Sequence, residues 1–423
     1  MRNDDSPDLK NVLSARSFVH WYNGHPHSPF HRGEDRMDLS QLHKASIIGQ
    51  GNVALDCARI LLSGGKDGEA VNKLRTTDIP ESVLEALRES SIRDVDIVGR
   101  RGPLQFAGTT KELRELVTLD EEMVGFSMSE EDRRAVEGAL DELKNFESQG
   151  GKMENARMKK RLLGLMQKAG PPPDSSSRDS SRKHWSLSFC QSPVALFGKD
   201  GSSSGPIKSF MYELNDLQPA STSTLPSNEM VDPSAFMSRG TGQTREKSTD
   251  LLLKSVGYRS IGIEGLPFDE RKGVVRNNEG RVQDAQGNEV RHARHHHVPS
   301  MSGLYTTAEL LPFRVFVIDK KLLGLYVSGW LARGPNGVIA TTMYDAFQTA
   351  ELIATDFAQS TSDKLREAVP DLPDLRDAGF GSQKIVRWED WRAIDGEERK
   401  RGKELGKERE KITTVKDMLK VLG

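Results

Sequence analysis

Ala45-Ser46-Ile47-Ile48-Gly49-Gln50-Gly51-Asn52-Val53-Ala54, running on through Leu55 to Leu62, sets the fold class of this chain. A short apolar run stops at a glycine, a second glycine follows two positions later, and helical periodicity begins at Val53. Strand, tight turn, helix is the order that a pyrophosphate cradle needs. In this G-x-G-x-x-A pattern Gly49 permits the turn and Gly51 lets the backbone approach the anion. Ala54 allows close packing of a helix whose amide N–H groups and dipole face the phosphates. Glycines also shape turns that bind nothing, so the motif alone leaves both readings open.

Downstream, Asp94 to Gly99 reads as the next strand and ends in Arg100-Arg101. An NAD site would place an acid there for the ribose 2′-OH. Two guanidiniums instead suit a 2′-phosphate, because arginine offers fixed fork donors and keeps its charge. The usual gap is roughly 20 residues; here it is longer, and the Gly64 to Leu87 insertion, with its own helix, accounts for that. NADP is therefore favoured over NAD, against the alternative of an ordinary basic turn. A third strand–turn–helix lies in Ser328-Gly329-Trp330-Leu331-Ala332-Arg333-Gly334-Pro335-Asn336-Gly337-Val338-Ile339, with a helix starting near Val338. Such an end offers free amides, and Trp330 a flat apolar face or simple core packing.

Further helices are read at Pro80 to Glu89, Lys111 to Leu119, Ser129 to Glu147 and Met158 to Lys168. Strands are read at Trp185 to Phe189 and Leu251 to Val256, with polar connections at Gly170 to Arg182 and Ser221 to Lys247. Glu397 and Arg401, four apart near the end, make an ordinary solvated helix pair.

The chain has 423 residues, enough for two to three domains. Hydrophobic residues are 35% and charged residues 29%, which excludes disorder throughout. The net charge of −2 advertises no nucleic-acid partner. Cys57 and Cys190 build no disulfide framework or iron–sulfur site, and Cys57 reads as helix packing. The most apolar window, Leu310 to Trp330, is broken by Arg314, Asp319, Lys320 and Lys321, so no span is expected. The start, Met1-Arg2-Asn3-Asp4-Asp5, lacks a signal-peptide core and is too acidic for a mitochondrial presequence. Consecutive His295, His296 and His297 diverge, so no metal site is expected, and no nucleophile elbow supports a hydrolase. No catalytic side chain is assigned.

The chain resembles the adrenodoxin reductase family, the FAD-containing NADPH–ferredoxin reductases of mitochondria and some bacteria. The shared runs are LSARSFVHWYNG (13–24), IIGQGNVALDCARILL (47–62), GRRGPLQ (99–105), KELRE (111–115), SVGYRSIGIEGLPFDERKGVV (255–275), SGWLARGPNGVIATTM (328–343) and WEDWRAIDGEERKRGKELGKEREK (388–411). The resemblance implies an α/β, two-domain glutathione-reductase-like (Rossmann-type) flavoprotein fold. Residues 1–270 would form the NADP-binding domain and 271–423 the C-terminal half of the FAD domain. It implies NADP contacts at Gln50, Gly51, Asn52 and Val53, with Arg100 and Arg101 on the 2′-phosphate and Glu112 near the nicotinamide ribose. Trp330, Gly337, Val338 and Ile339 would contact the flavin. Hydride would pass from NADPH to FAD and single electrons to a two-iron ferredoxin of the adrenodoxin type. Arg157, Lys160 and Arg161 are candidates for docking that acidic partner. Mitochondrial localisation follows by resemblance, with at most peripheral membrane association.

Three departures stand out. The family's FAD adenylate half-site precedes the LSAR run, whereas only residues 1–12 precede it here, so the FAD domain is expected to be incomplete. Gly303-Leu304-Tyr305 recurs as Gly324-Leu325-Tyr326, marking 306–323 as inserted. Phe106-Ala107-Gly108-Thr109 replaces the family's valine–alanine–phenylalanine–threonine. Two functions follow: an NADPH–ferredoxin reductase, or a catalytically inactive NADP-binding or interaction remnant.

Overall fold

Alternate burial is absent from Lys44–Ile48 because both faces of this strand are covered; only its first residue is exposed. Such a continuous apolar run belongs at the centre of a parallel sheet. The computed structural model describes residues 9–31, 33–65, 69–120, 122–153, 155–173, 182–201, 203–219, 232, 235–288, 325–335, 337, 339–359 and 385–423. They form two compact units, one running to Val256 and including Val386–Gly423, the other Gly257–Ile385.

In the first unit the elements run β1 (Val12–Ser14), α1 (Ala15–Tyr22), β2 (Lys44–Ile48), α2 (Asn52–Ser63), α3 (Glu69–Leu74), α4 (Glu81–Arg88) and β3 (Asp94–Val98). There follow α5 (Thr110–Val117), β4 (Val124–Ser127), α6 (Glu130–Ser148), α7 (Ala156–Met166), β5 (Lys183–Ser188), β6 (Gln191–Gly198), β7 (Ile207–Pro219), β8 (Phe236–Ser248) and β9 (Leu251–Lys254). Six strands make a parallel sheet in the order β1-β9-β2-β3-β5-β4. Ile48 pairs with Val98 and Lys254, and Val98 with Ser188, so the carboxyl ends of β2, β3, β5 and β9 finish level. In open α/β sheets ligands bind at that edge. An antiparallel β6-β7-β8 sheet accompanies it.

The core follows from the apolar positions. Helix α1 starts at Ser14, whose side chain accepts from the Ser17 N–H, and buries Phe18 and Trp21 with ring centroids 5.3 Å apart. Trp185 of β5 stacks on Phe126 of β4 at 3.9 Å. Helix α2 buries eight of its twelve residues, Cys57 among them. Burial pushes that thiol up to about 12, which keeps it protonated and makes it packing, as its position predicts. At the far end of α2, the buried Lys183 ammonium donates to the carbonyls of Leu62, at 3.1 Å, and Gly64, capping the helix. Burial, reinforced by Arg93, brings its pKa down to about 7.

Strand β8 corrects the expected polar connection at Ser221 to Lys247. It pairs with β7 from Ser248 back to Phe236, yet nearly every residue is exposed. The strands β6 and β7 also go beyond the sequence reading.

In the second unit two short hairpins, β10 (Phe268–Asp269) with β11 (Val274–Val275) and β12 (Asn277–Asn278) with β13 (Arg281–Val282), pack Val275 and Val282 against Val327. They carry α8 (Trp330–Arg333) and α9 (Ile339–Gln359). Arg281 grips Asp356 of α9 through Nε at 2.9 Å and Nη2 at 2.6 Å, while the Tyr326 hydroxyl donates to the same carboxylate at 2.6 Å. These donors hold the Asp356 carboxyl at about 2. Tyr326 thus serves from the second Gly-Leu-Tyr copy; the first copy and the insertion at 306–323 lie outside the described residues.

The division at Val256 differs from the boundary near 270 expected from sequence, and α10 (Trp388–Glu404) and α11 (Val415–Val421) join the first unit. The reason is a buried ionic latch. Lys407, fully buried, donates to the Ile79 carbonyl at 2.8 Å and pairs with Glu410. Glu410 in turn accepts from the Glu81 N–H at 3.0 Å, at the start of α4. Lys411 reaches the Asn23 carbonyl and Asp78. Glu397 and Arg401 form the expected surface pair at 2.8 Å.

Candidate functional site

The turn after β2 is built around Gly49, whose φ of +120° L side chains rarely adopt. A Cβ there would sit 2.0 Å from the Ser255 carbonyl oxygen, so β2 and the end of β9 approach as only glycine permits. Gly51 differs: its φ is −97°, nothing lies within 4 Å of an added Cβ, and it caps α2. Helical bonding starts with the Ala54 and Leu55 N–H groups on the Gly51 carbonyl. That leaves the Asn52 and Val53 amides outside the helical bonding, at the positive end of the helix dipole. The cradle fits a pyrophosphate by room, by donors and by field.

Two predicted contact residues turn out to have structural work for their side chains. The Gln50 amide donates to the carbonyls of Ile97 and Ser188, at 3.3 and 3.0 Å, tying the ends of β3 and β5. A Cβ on Gly99 would meet the side-chain Oε1 of Gln50 at 2.0 Å, so the Gln50 amide occupies the space that glycine leaves after β3. Asn52 accepts from the Thr109 N–H at 2.7 Å, and Thr109 accepts from the Glu112 N–H at 3.3 Å to cap α5. The side chain of Asn52 thus joins the starts of α2 and α5 and brings half-buried Glu112 to the same edge. Beside them Asp56 is raised by burial, against Arg59, which bridges Asp56 and Glu115 at 2.6 and 2.5 Å.

Arg100 and Arg101 leave the carboxyl end of β3. Their backbone is pinned: Asn215 of β7 donates to the Arg100 carbonyl at 2.8 Å, and the Cys190 N–H to that of Arg101 at 3.1 Å. Among the described residues neither guanidinium makes a hydrogen bond or an ion pair. Burial lowers the Arg101 pKa, and the like charge of Arg100 lowers it further. Two cations without partners among the described residues, on a backbone pinned at the carboxyl edge of the sheet, have the chemistry that suits a phosphate. Sequence reasoning misses Asn215, since it is one of several polar residues in β7 and no motif marks it.

Phe106 resolves the third departure. Its ring is buried, and a Cβ on Gly108 would strike it at 2.6 Å and Leu55 at 2.8 Å. The phenylalanine fills core beneath α2, and the glycine makes room for it.

In the second unit Trp330 is 45% exposed and stacks on Tyr258 at 5.7 Å. Gly337 has φ +86° and would bring a Cβ within 2.9 Å of Thr341 Oγ1. Helix α9 begins at Ile339, which is 90% exposed. An accessible indole, a glycine turn and a helix start free of acids suit a flat, partly anionic ring system. Val338 lies outside the described residues. Among the described residues no cluster of His, Cys, Asp and Glu could hold a metal, and no helix is long and apolar enough to cross a membrane.

No family profile matches the chain. It is similar to the mitochondrial NADPH:adrenodoxin oxidoreductase of Salvelinus fontinalis, 35% identical over 98% of this chain and 69% of the relative. That of Arabidopsis thaliana is 33% identical over 97% and 72%. Among solved structures it is similar to Mycobacterium tuberculosis FprA in complex with NADPH, with a TM-score of 0.70 and 29% identity, over 100% of this chain and 76% of that one. The fold is accordingly the two-domain, Rossmann-type flavoprotein fold. The chain belongs to the NADPH:adrenodoxin oxidoreductase family, a family of FAD- and NADP(H)-dependent oxidoreductases.

Proposed function

We propose that this chain carries NADPH-dependent electron transfer to a two-iron ferredoxin of the adrenodoxin type, in mitochondria, where its relatives are named. The first unit is the NADP-binding domain, and the second belongs to the FAD-binding domain. When bound, NADPH and FAD supply hydride transfer and the release of single electrons. The chain's own residues bind and orient. The Asn52 and Val53 amides and the Gly51 backbone take the pyrophosphate. Arg100 and Arg101 take the 2′-phosphate, and Glu112 stands by the nicotinamide ribose. Trp330, Gly337, Val338 and Ile339 take the flavin. No side chain needs to act as a nucleophile or base. The observation that carries this reading is the pair of guanidiniums, without partners among the described residues, on a backbone pinned at the carboxyl end of β3.

Docking of an acidic ferredoxin falls to the exposed Arg157 and Arg161 of α7, whose apolar side is buried through Leu162, Leu163 and Met166. Lys160 is also exposed but pairs with Glu147 at 2.6 Å. One observation favours the second function, an NADP-binding module without flavin chemistry: Ile339, Met343 and Phe347 of α9 are 90%, 57% and 67% exposed.

Purified chain supplied with FAD, NADPH and a two-iron ferredoxin should retain flavin on gel filtration and bleach the iron–sulfur absorbance, with NADH a poor substitute. NADP binding without flavin uptake or ferredoxin reduction would instead establish the binding module.

A further inference from the structure

Helix α7 carries a lysine where its apolar stripe should continue. Lys159 precedes Leu162, Leu163 and Met166 by three, four and seven positions, so it shares their buried face. The exposed residues Arg157, Lys160 and Arg161 flank it. Its ammonium donates to the Phe106 carbonyl at 3.3 Å, at the end of the loop that begins with Arg100 and Arg101. One proton is thereby used, and an ammonium has three.

We propose that Lys159 is a third cationic contact for the 2′-phosphate and helps set the preference for NADP over NAD. The inference rests on the phosphate reading of Arg100 and Arg101 given above. Burial is costly for a lysine, and the neighbouring charge of Arg101 adds to the cost; Asp232 offsets it by less. Three like charges converge on one loop: the two guanidiniums are without partners among the described residues, and the ammonium is anchored to the loop's own backbone. A dianion entering that loop relieves the mutual repulsion of all three, which a 2′-hydroxyl cannot do. Arginine in the turn supplies the fork, while lysine from α7 supplies a point charge.

The test uses the full chain and the two halves of the question as separate ligands, adenosine 2′,5′-bisphosphate and 5′-AMP, titrated by calorimetry. Wild type should bind the bisphosphate more tightly. Lys159→Met should weaken the bisphosphate roughly ten- to a hundredfold and leave 5′-AMP unchanged, while Lys159→Arg should restore most of the loss. Should Lys159→Met not fold, Lys159→Gln, which keeps a donor for the Phe106 carbonyl without the charge, should show the same selective loss. Unchanged bisphosphate binding in the variant, or an equal loss of both ligands, overturns the role of Lys159 while leaving the arginine pair intact. Indifference of the wild type itself to the 2′-phosphate overturns the phosphate reading and this inference together.

Discussion

Replacing Arg100 and Arg101 together by alanine should raise the dissociation constant for NADPH about a thousandfold and leave that for NADH within a few-fold of wild type. Each charge-assisted bond to a phosphate contributes about 1.5–3 kcal/mol, and two of them compound to that order. The free chain should not suffer. Neither guanidinium holds a partner among the described residues, so the substitution orphans no buried acid, and it removes the repulsion that lowers the Arg101 pKa. What positions the loop is backbone, through Asn215 and Cys190, and alanine keeps that backbone. The thermal midpoint of the ligand-free variant should therefore match wild type. Isothermal titration with both coenzymes reads the result; an unchanged ratio of the two affinities would place the phosphate elsewhere.

The second large effect separates two glycines that a motif treats alike. Gly49→Ala should abolish the folded state of the first unit or cost it more than about 4 kcal/mol. Its Cβ would have to overlap a backbone carbonyl at Ser255, and its φ of +120° is strained for any L residue. No flexible side chain is there to move aside. Gly51→Ala should do the reverse. Its φ is ordinary and its surroundings open, so stability should fall by no more than about 1 kcal/mol, the usual cost of a poorer helix cap. The new methyl would occupy the space through which a pyrophosphate approaches the Asn52 and Val53 amides, and NADPH binding should weaken sharply. Denaturation curves and titrations of the two variants, side by side, distinguish a turn residue from an approach residue. Equal stability losses would mean that the turn is not built as described.

Where side chains alternate or repeat against a covered face, sequence and structure agree. The β2 strand, the glycine turn and α2 are legible because Ile47, Ile48, Ala54, Leu55 and Ala58 are all buried. The placement of Arg100-Arg101 just past the carboxyl end of β3 is legible because the apolar run of that strand stops at Gly99. Strand β8 is not legible, since both of its faces meet solvent and no alternation is left to detect. Gln50 and Asn52 are cofactor contacts by resemblance alone; that their side chains also span strand ends and helix starts is not legible, because only the tertiary fold brings those segments near. Lys159 is one of several charges in the helix that includes Arg157, Lys160 and Arg161, and its neighbour Phe106 is 53 positions away. The latch of Lys407 and Glu410 likewise joins segments more than 300 positions apart, which is why the tail's place in the first unit could not be read locally.

The most direct test of the account is calorimetric titration of the purified wild-type chain with NADP⁺ and, separately, NAD⁺ at one ionic strength. The structure predicts a single site for NADP⁺, at least about a hundredfold tighter than for NAD⁺. Equal affinities, or no heat from either, would contradict a phosphate-selecting edge at the ends of β2 and β3.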